Sequence, residues 1–186
     1  MVRIDRVTTR GGDGGDTSLG DGTRVRKDAL RIEAIGCVDE ANSTIGVLRL
    51  ATRDDPIVDA ILLRIQHDLF DLGADLCVPG EAGDRLRVSD ALTLRLEQET
   101  AAMNAGLAAL TSFVLPAGGA GAAHAHVARA TVRRAERRVI ALAGAETINP
   151  AAIRYLNRLS DHLFVLARRL NAAAAGDVLW TPGMNR

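Results

Sequence analysis

Ile153, Leu156, Leu159, Leu163, Leu166 and Leu170 recur at three- and four-residue intervals along one stretch of the chain. That rhythm stacks six large aliphatic side chains on one face of a helix, and such a face has to be buried against other elements. The same spacing returns in Val58, Ile61, Ile65, Leu69, Leu72 and Leu76, and again in Ile35, Val38, Ile45 and Leu48. Aromatic residues make up only 3% of the sequence, and β-branched residues rarely alternate, so strands find little support. The chain is therefore expected to be all-α.

Local signals give the boundaries. Asp55-Pro56 and Asn149-Pro150 each place a capping side chain before a proline suited to the first helical position. They predict a second helix to about Cys77, stopped by Pro79-Gly80, and a fifth helix from Pro150. The first helix is expected over about 28–52 and the fourth over about 122–143. Ser89 is expected to cap a third helix carrying Leu92, Leu96, Met103, Leu107 and Leu110, before Pro116 to Gly121 interrupts the pattern. Residues 79–89 read as a surface loop. Five helices with short connections imply a bundle. The 186 residues form one domain on this reading: a glycine-rich segment 1–27, a bundle 28–175 and a C-terminal tail 176–186.

Lys plus Arg and Asp plus Glu each number 23, which leaves no global positive field to gather nucleic acid or an anionic membrane. No apolar stretch is long enough for a membrane span. Arg3, Asp5 and Arg6 at the start are followed by no signal-like run. Cys37 and Cys77 have no metal or disulfide spacing and are expected to be buried thiols. These features point to the cytoplasm.

Two regions carry candidate chemistry. From Thr9 to Gly22 the chain is too rich in glycine for a helix, and glycines let successive backbone N–H groups converge on an anion, with hydroxyls from Thr9, Thr17 and Ser18. Lys27, the only lysine, follows at the entrance to the first helix, where its point charge suits phosphate. A flexible tail is the plain alternative. The second region sets Arg129, Arg133, Arg134, Arg137 and Arg138 within ten residues of the fourth helix, around Glu136. At about 100° per residue, Arg129, Arg133 and Glu136 share a stripe opposite Ala128, Val132, Ala135, Val139 and Leu142. Like charges at i and i+4 call for an acidic neighbour or an anionic ligand; a solvated face is the plain alternative. Asn157 presents an amide beside the fifth helix's seam. Asp68, Asp71 and Asp75 lack the Glu-x-x-His pair of a di-iron bundle and read as salt-bridging or solvated. His124 and His126, two apart, are expected in loop or capping duty.

Taken in order, these blocks resemble the PduO-type ATP:cob(I)alamin adenosyltransferases. The resemblance runs through Thr9-Arg10-x-Gly12-Asp13-x-Gly15-x-Thr17-Ser18-Leu19 and Lys27-Asp28-x-x-Arg31-x-Glu33-Ala34-x-Gly36-x-Val38-Asp39-Glu40-x-Asn42-Ser43. It continues through Phe113-Val114-Leu115-Pro116, Arg129-x-x-x-Arg133-Arg134-Ala135-Glu136-Arg137 and Tyr155-Leu156-Asn157-Arg158-Leu159-Ser160-Asp161. The resemblance implies a homotrimer with active sites between neighbours, binding ATP, Mg²⁺ and a cobalamin, whose cobalt attacks the ribose 5′ carbon. Thr9, Arg10, Gly11, Gly12, Asp13, Gly15, Thr17, Ser18 and Lys27 would hold the triphosphate. Arg133, Arg134, Glu136, Arg137 and Asn157 would complete the nucleotide site, with Arg133 and Glu136 among the catalytic residues and Glu136 orienting. Phe113 would cover the lower face of the corrin, and Asp39 and Arg129 would form a salt bridge near the subunit boundary. A flavin reductase and an adenosylcobalamin-dependent enzyme are the implied protein partners. Pro116-Ala117-Gly118-Gly119 departs from the family's usual Pro-Gly-Gly. A non-catalytic nucleotide sensor on the same scaffold, or a metal-storing bundle, are the rival classes; the first does not need Phe113 and the second lacks ligand spacing.

Overall fold

The computed structural model describes residues 8–80, 85–174 and 176–186. The expectations for Arg3, Asp5 and Arg6 and for the middle of the 79–89 loop lie outside these residues. Five helices carry the fold: α1 (Leu30–Thr52), α2 (Pro56–Cys77), α3 (Asp90–Asn104), α4 (Ala120–Ala143) and α5 (Pro150–Ala172). Ahead of them the glycine-rich segment closes into a small antiparallel hairpin, β1 (Asp16–Ser18) with β2 (Arg24–Arg26), Thr17 opposite Val25. Three-residue strands leave no periodic trace, which is why the sequence shows only a loop there.

Both cap-and-proline signals hold. The Asp55 carboxylate accepts from the N–H groups of Ile57 and Val58, and the Asn149 side chain accepts from Ala151 N. Ser89 precedes α3 without a side-chain cap, contrary to expectation. That helix also stops at Asn104, leaving Leu107 and Leu110 outside it. The helical count fails there because Gly106 follows at once and the backbone beyond is claimed by another partner: Leu115 N donates to Val178 O, and Trp180 N donates to Phe113 O.

The helices pack in the spatial order α2, α1, α4, α5, α3. Leu156, Leu159, Leu163 and Leu166 of α5 are fully buried, with Ile45, Leu48, Leu62 and Leu142 equally enclosed. Each contributes about 1.5–3 kcal/mol by leaving water. Along the α1–α4 seam, Ala34 and Ala41 face a helix rich in buried alanine (Ala122, Ala125, Ala128 and Ala135), which lets the two approach closely. Two ion pairs fix their antiparallel register: Arg134 with Glu40, and Arg138 with Glu33 at 3.3 Å.

Between α2 and α3 the bundle is closed by polar groups. Asp68 pairs with Arg95 and accepts from the buried Tyr155 hydroxyl at 2.9 Å. Asp75 accepts from Arg87, from Val88 N and from Asn149 Nδ2, pinning the start of α5 to the end of α2. Salt bridging is thus the role of Asp68 and Asp75, and Asp71 is exposed, as expected. Cys37 is buried and Cys77 half-buried, both as free thiols.

Glu99 joins the same closure, 2.6 Å from Arg64 and 3.1 Å from the fully buried His162 ring. Burial alone raises its carboxyl, but hydrogen bonds from His162 and Arg64 outweigh that and hold it below its ordinary 4.5. Because the folded-state value is the lower one, the stabilisation is present above about pH 4.5 and lost as pH falls through the folded value. Thermal melts should show this. Glu99→Gln is expected to melt lower than the parent at pH 6 to 7 and to lose less between pH 4.5 and 3; parallel curves would contradict the assignment.

Candidate active site

The N-terminal loop is braced by its own residues. Arg24 donates to Gly11 O at 2.8 Å, Lys27 N donates to Gly15 O at 2.8 Å, and Arg10 adopts a positive φ of 60°. Gly12 lies against the Lys27 ammonium, so close that a Cβ there would come within 2.9 Å of Nζ. Lys27 and the glycine loop are therefore one unit, as the sequence suggested. The amides of Asp13 and Gly15 are turned inward, to Arg10 O and Gly12 O, and do not join an outward-facing cradle. Leu19 is buried, and Gly20 N donates to Cys77 O, which docks the hairpin on the end of α2. Thr17 and Ser18 then form the rim of a cleft of about 530 Å³ between α1 and α2, walled by Ile32, Ile35, Leu69 and Phe70 and edged by Asp39 and Asn42.

A second face lies on α4 and α5. Glu136 accepts from Asn157 Nδ2 at 2.8 Å, which fixes the carboxamide beside the arginine stripe. Arg134 and Arg138 are neutralised by α1, whereas Arg129, Arg133 and Arg137 have no ion-pair partner among the described residues. Arg137 donates only to Arg133 O. Arg129 is half-buried with Nε unpartnered; burial, and then Arg133, push its guanidinium below the ordinary value. Three cations at i, i+4 and i+8 without an ion-pair partner among the described residues repel one another, and such a face can take up an anion. Among the described residues no hydrogen bond or ion pair joins residues 9–27 to this face.

Phe113 is the third feature. The residue is 77% exposed. The segment around it pairs with the C-terminal tail at Val114–Leu179, and the Trp180 ring lies 6.0 Å away, tilted by 55°. The loop that follows is held by Asn171, which accepts from Gly119 N and donates to Ala117 O.

Asp39 and Arg129 do not meet inside the chain. The antiparallel α1–α4 register sets Glu40, the neighbour of Asp39, against Arg134, and at about 1.5 Å per residue this leaves Arg129 roughly two turns along the axis from Asp39. His124 and His126 lie inside α4, not in a loop or cap. The helix begins at Ala120, ahead of both, because alanines extend it N-terminally. His126 is buried against Phe164, its ring centroid 6.2 Å away, with both nitrogens unpartnered; burial and Arg129 lower its pKa. Sequence reasoning passed over the tail residues Asp177 and Trp180 and the clamp Asn171. The lone tryptophan in a polar tail was the available signal. Among the described residues no group of three or more His, Cys, Asp or Glu could hold a metal, and no helix is long and apolar enough to cross a membrane.

Comparisons with known proteins point to one family. A family model described as cobalamin adenosyltransferase matches residues 7–170. A cobalamin adenosyltransferase of Cupriavidus metallidurans is 50% identical over 96% of this chain and 95% of its own length. A corrinoid adenosyltransferase of Mycobacterium tuberculosis is 45% identical over 100% and 97%. Among solved structures, a phenylalanine-to-alanine variant of a PduO-type ATP:corrinoid adenosyltransferase from Lactobacillus reuteri, complexed with cobalamin and ATP, superposes with a TM-score of 0.89. It is 32% identical, covering 94% of this chain and 99% of that one.

The loop after Phe113 yields a direct test. Gly118 has φ of 109°, and an added Cβ would fall inside the Asn171 carboxamide. Gly118→Ala is expected to cost more than about 1 kcal/mol through backbone strain and displacement of that clamp. Ala117→Gly, which restores the commoner glycine, should cost only about 0.4–1 kcal/mol through the unfolded chain. Denaturant midpoints in the opposite order would refute the clamp.

Proposed function

The chain belongs to the cobalamin adenosyltransferase family, and from that premise we propose that it transfers the 5′-deoxyadenosyl group of ATP to cob(I)alamin, forming adenosylcobalamin and releasing triphosphate. The observation that carries this reading is the pairing of an exposed aromatic ring, Phe113, with a stripe of uncompensated arginines. A nucleotide sensor has use for the cations but none for the ring.

This chemistry calls on no side-chain nucleophile. The cobalt lone pair forms the bond to the ribose 5′ carbon as the C5′–O bond breaks, and its electrons leave on the triphosphate. The protein's tasks are alignment and stabilisation of that leaving charge. Lys27, Arg133 and Arg137 would meet it, with Thr9 to Gly12, Thr17 and Ser18 framing the nucleotide; Asp13 and Gly15, their amides turned inward, would shape the loop, and Arg134, paired with Glu40, would stand at the edge. Glu136 moves no proton here: it holds the Asn157 amide, which addresses the nucleoside. Mg²⁺ fits only as a passenger on the phosphates, since the described residues offer no carboxylate cluster, and it would supply further charge neutralisation.

Among the described residues no hydrogen bond or ion pair joins the loop to the arginine face, and on this reading a complete site is built from two copies. Asp39 on the hairpin side and Arg129 on the arginine side are then free to pair across the boundary, closing a homotrimer around three equivalent sites. Phe113 covers the lower corrin face, excluding water and the axial base, which leaves a four-coordinate cobalt that is easier to reduce. A flavin reductase as electron source and an adenosylcobalamin-dependent enzyme as recipient, in the cytoplasm, complete the reading.

An anaerobic assay with ATP and reduced cobalamin should develop the spectrum of adenosylcobalamin; no spectral change would end the proposal. Lys27→Ala is expected to lower kcat/KM for ATP by about a hundredfold with the melting temperature unchanged, the size of losing one charge aimed at a developing anion. Unchanged kinetics would remove Lys27 from the site. Phe113→Ala should melt near the parent temperature, since its exposed ring leaves no cavity, yet lose most turnover from cob(II)alamin and less from pre-reduced cob(I)alamin. Equal losses from both would assign Phe113 to general binding.

A further inference from the structure

Phe113 is too exposed to be held by packing of its own ring, so its position depends on the backbone beneath it. That backbone belongs to no helix. It is held from one side by the tail, through three hydrogen bonds: Leu115 N to Val178 O at 2.8 Å, Trp180 N to Phe113 O at 2.8 Å, and the Ser112 hydroxyl to Trp180 O at 2.7 Å. The tail is in turn tied to the bundle just before these rungs. Asp177 accepts from Arg168 Nε at 2.8 Å, with both side chains largely buried (8% and 14% exposed). Arg168 also donates to Ala108 O at 2.7 Å, on the approach to Phe113. One guanidinium on α5 thus grips both strands of the platform, the one carrying Phe113 and the one supporting it.

We propose that Asp177, through its ion pair with Arg168, is a positioning residue that sets where the Phe113 ring stands, with Trp180 as the ring's lateral stop. The proposal rests on the reading that Phe113 faces the corrin. Asp177 touches no substrate on this account; it acts only through the platform. Without the anchor, residues 178–180 retain their rungs only as a free end and Phe113 loses its fixed height. An aromatic ring displaced by about 1 Å from a flat ligand forfeits much of its effect on the reacting centre. Asp177 Oδ1 is buried with no partner among the described residues, so the Arg168 pair is the one side-chain tie that this carboxylate makes.

Trp180 is the only tryptophan, which gives a readout that does not depend on activity. In Asp177→Asn of the full-length protein, acrylamide quenching of Trp180 should rise about twofold while helical circular dichroism is retained. Turnover from cob(II)alamin should fall about tenfold, and from pre-reduced cob(I)alamin by less than about threefold. Ser112→Ala, a half-buried change at the other end of the same rungs, should move all three readouts in the same direction, and it carries the test if Asp177→Asn fails to fold. Unchanged Trp180 quenching overturns the anchor. A loosened Trp180 with full activity, alongside a Phe113→Ala variant that is impaired, overturns the positioning role alone. A Phe113→Ala variant that is fully active sinks the reading of Phe113 itself and the proposal with it.

Discussion

The α1–α4 seam decides what the rest of the molecule can present. Small side chains bring the two helices close, and the pairs Arg134–Glu40 and Arg138–Glu33 lock them antiparallel in one register. Both pairs are half exposed, so their energetic value is modest; their effect is selective. They withdraw two arginines from a cluster of five and leave Arg129, Arg133 and Arg137 turned away from α1 as an uncompensated stripe. α5, packed on the other flank of α4, then supplies Asn157 to Glu136 beside that stripe. A slip of one turn along the seam would pair a different set of charges and dissolve the face.

The opposite flank of α1 faces α2, and there the hairpin is docked through Gly20 and Cys77. α1 therefore separates a hydroxyl- and lysine-bearing half from an arginine-bearing half. The apolar cleft belongs to the first, and the exposed Phe113 stands on neither, held by the tail. On the reading proposed above, the division suits a ring in which each copy offers its hairpin side to the arginine side of the next, so that a polyanion would be gripped from both and Arg129 would gain an acidic partner.

The bundle was legible because its signals are redundant: periodic aliphatics, side-chain caps and prolines all mark α2 and α5, and the helical reading of α1 and α4 needed only their stripes. The misses share a different cause. α3 ends before Leu107 because the chain beyond exchanges backbone hydrogen bonds with a tail some sixty residues away, and no local pattern encodes that pairing. His126 read as a loop or cap residue because an isolated histidine carries no information about the helix that alanines extend around it. The site divides in the same way. Lys27 and the glycines were recognisable as a group from residue type and order, whereas Glu136 and Asn157, on different helices, were joined only through the family resemblance; the Arg168–Asp177 anchor and the Asn171 clamp depend on tertiary proximity alone.

On the proposed reading, the loop half and the arginine half of each site come from different copies. It is tested most directly by mixing two chains, Lys27→Ala and Arg133→Ala, each nearly inactive by itself, and refolding them together in equal amounts. If neighbouring copies build the site, random assembly gives intact loop and intact arginine face at about one site in four, and adenosylcobalamin formation should recover to about a quarter of the parent rate. A mixture no more active than its components would contradict the account, because every chain would then carry a damaged site of its own.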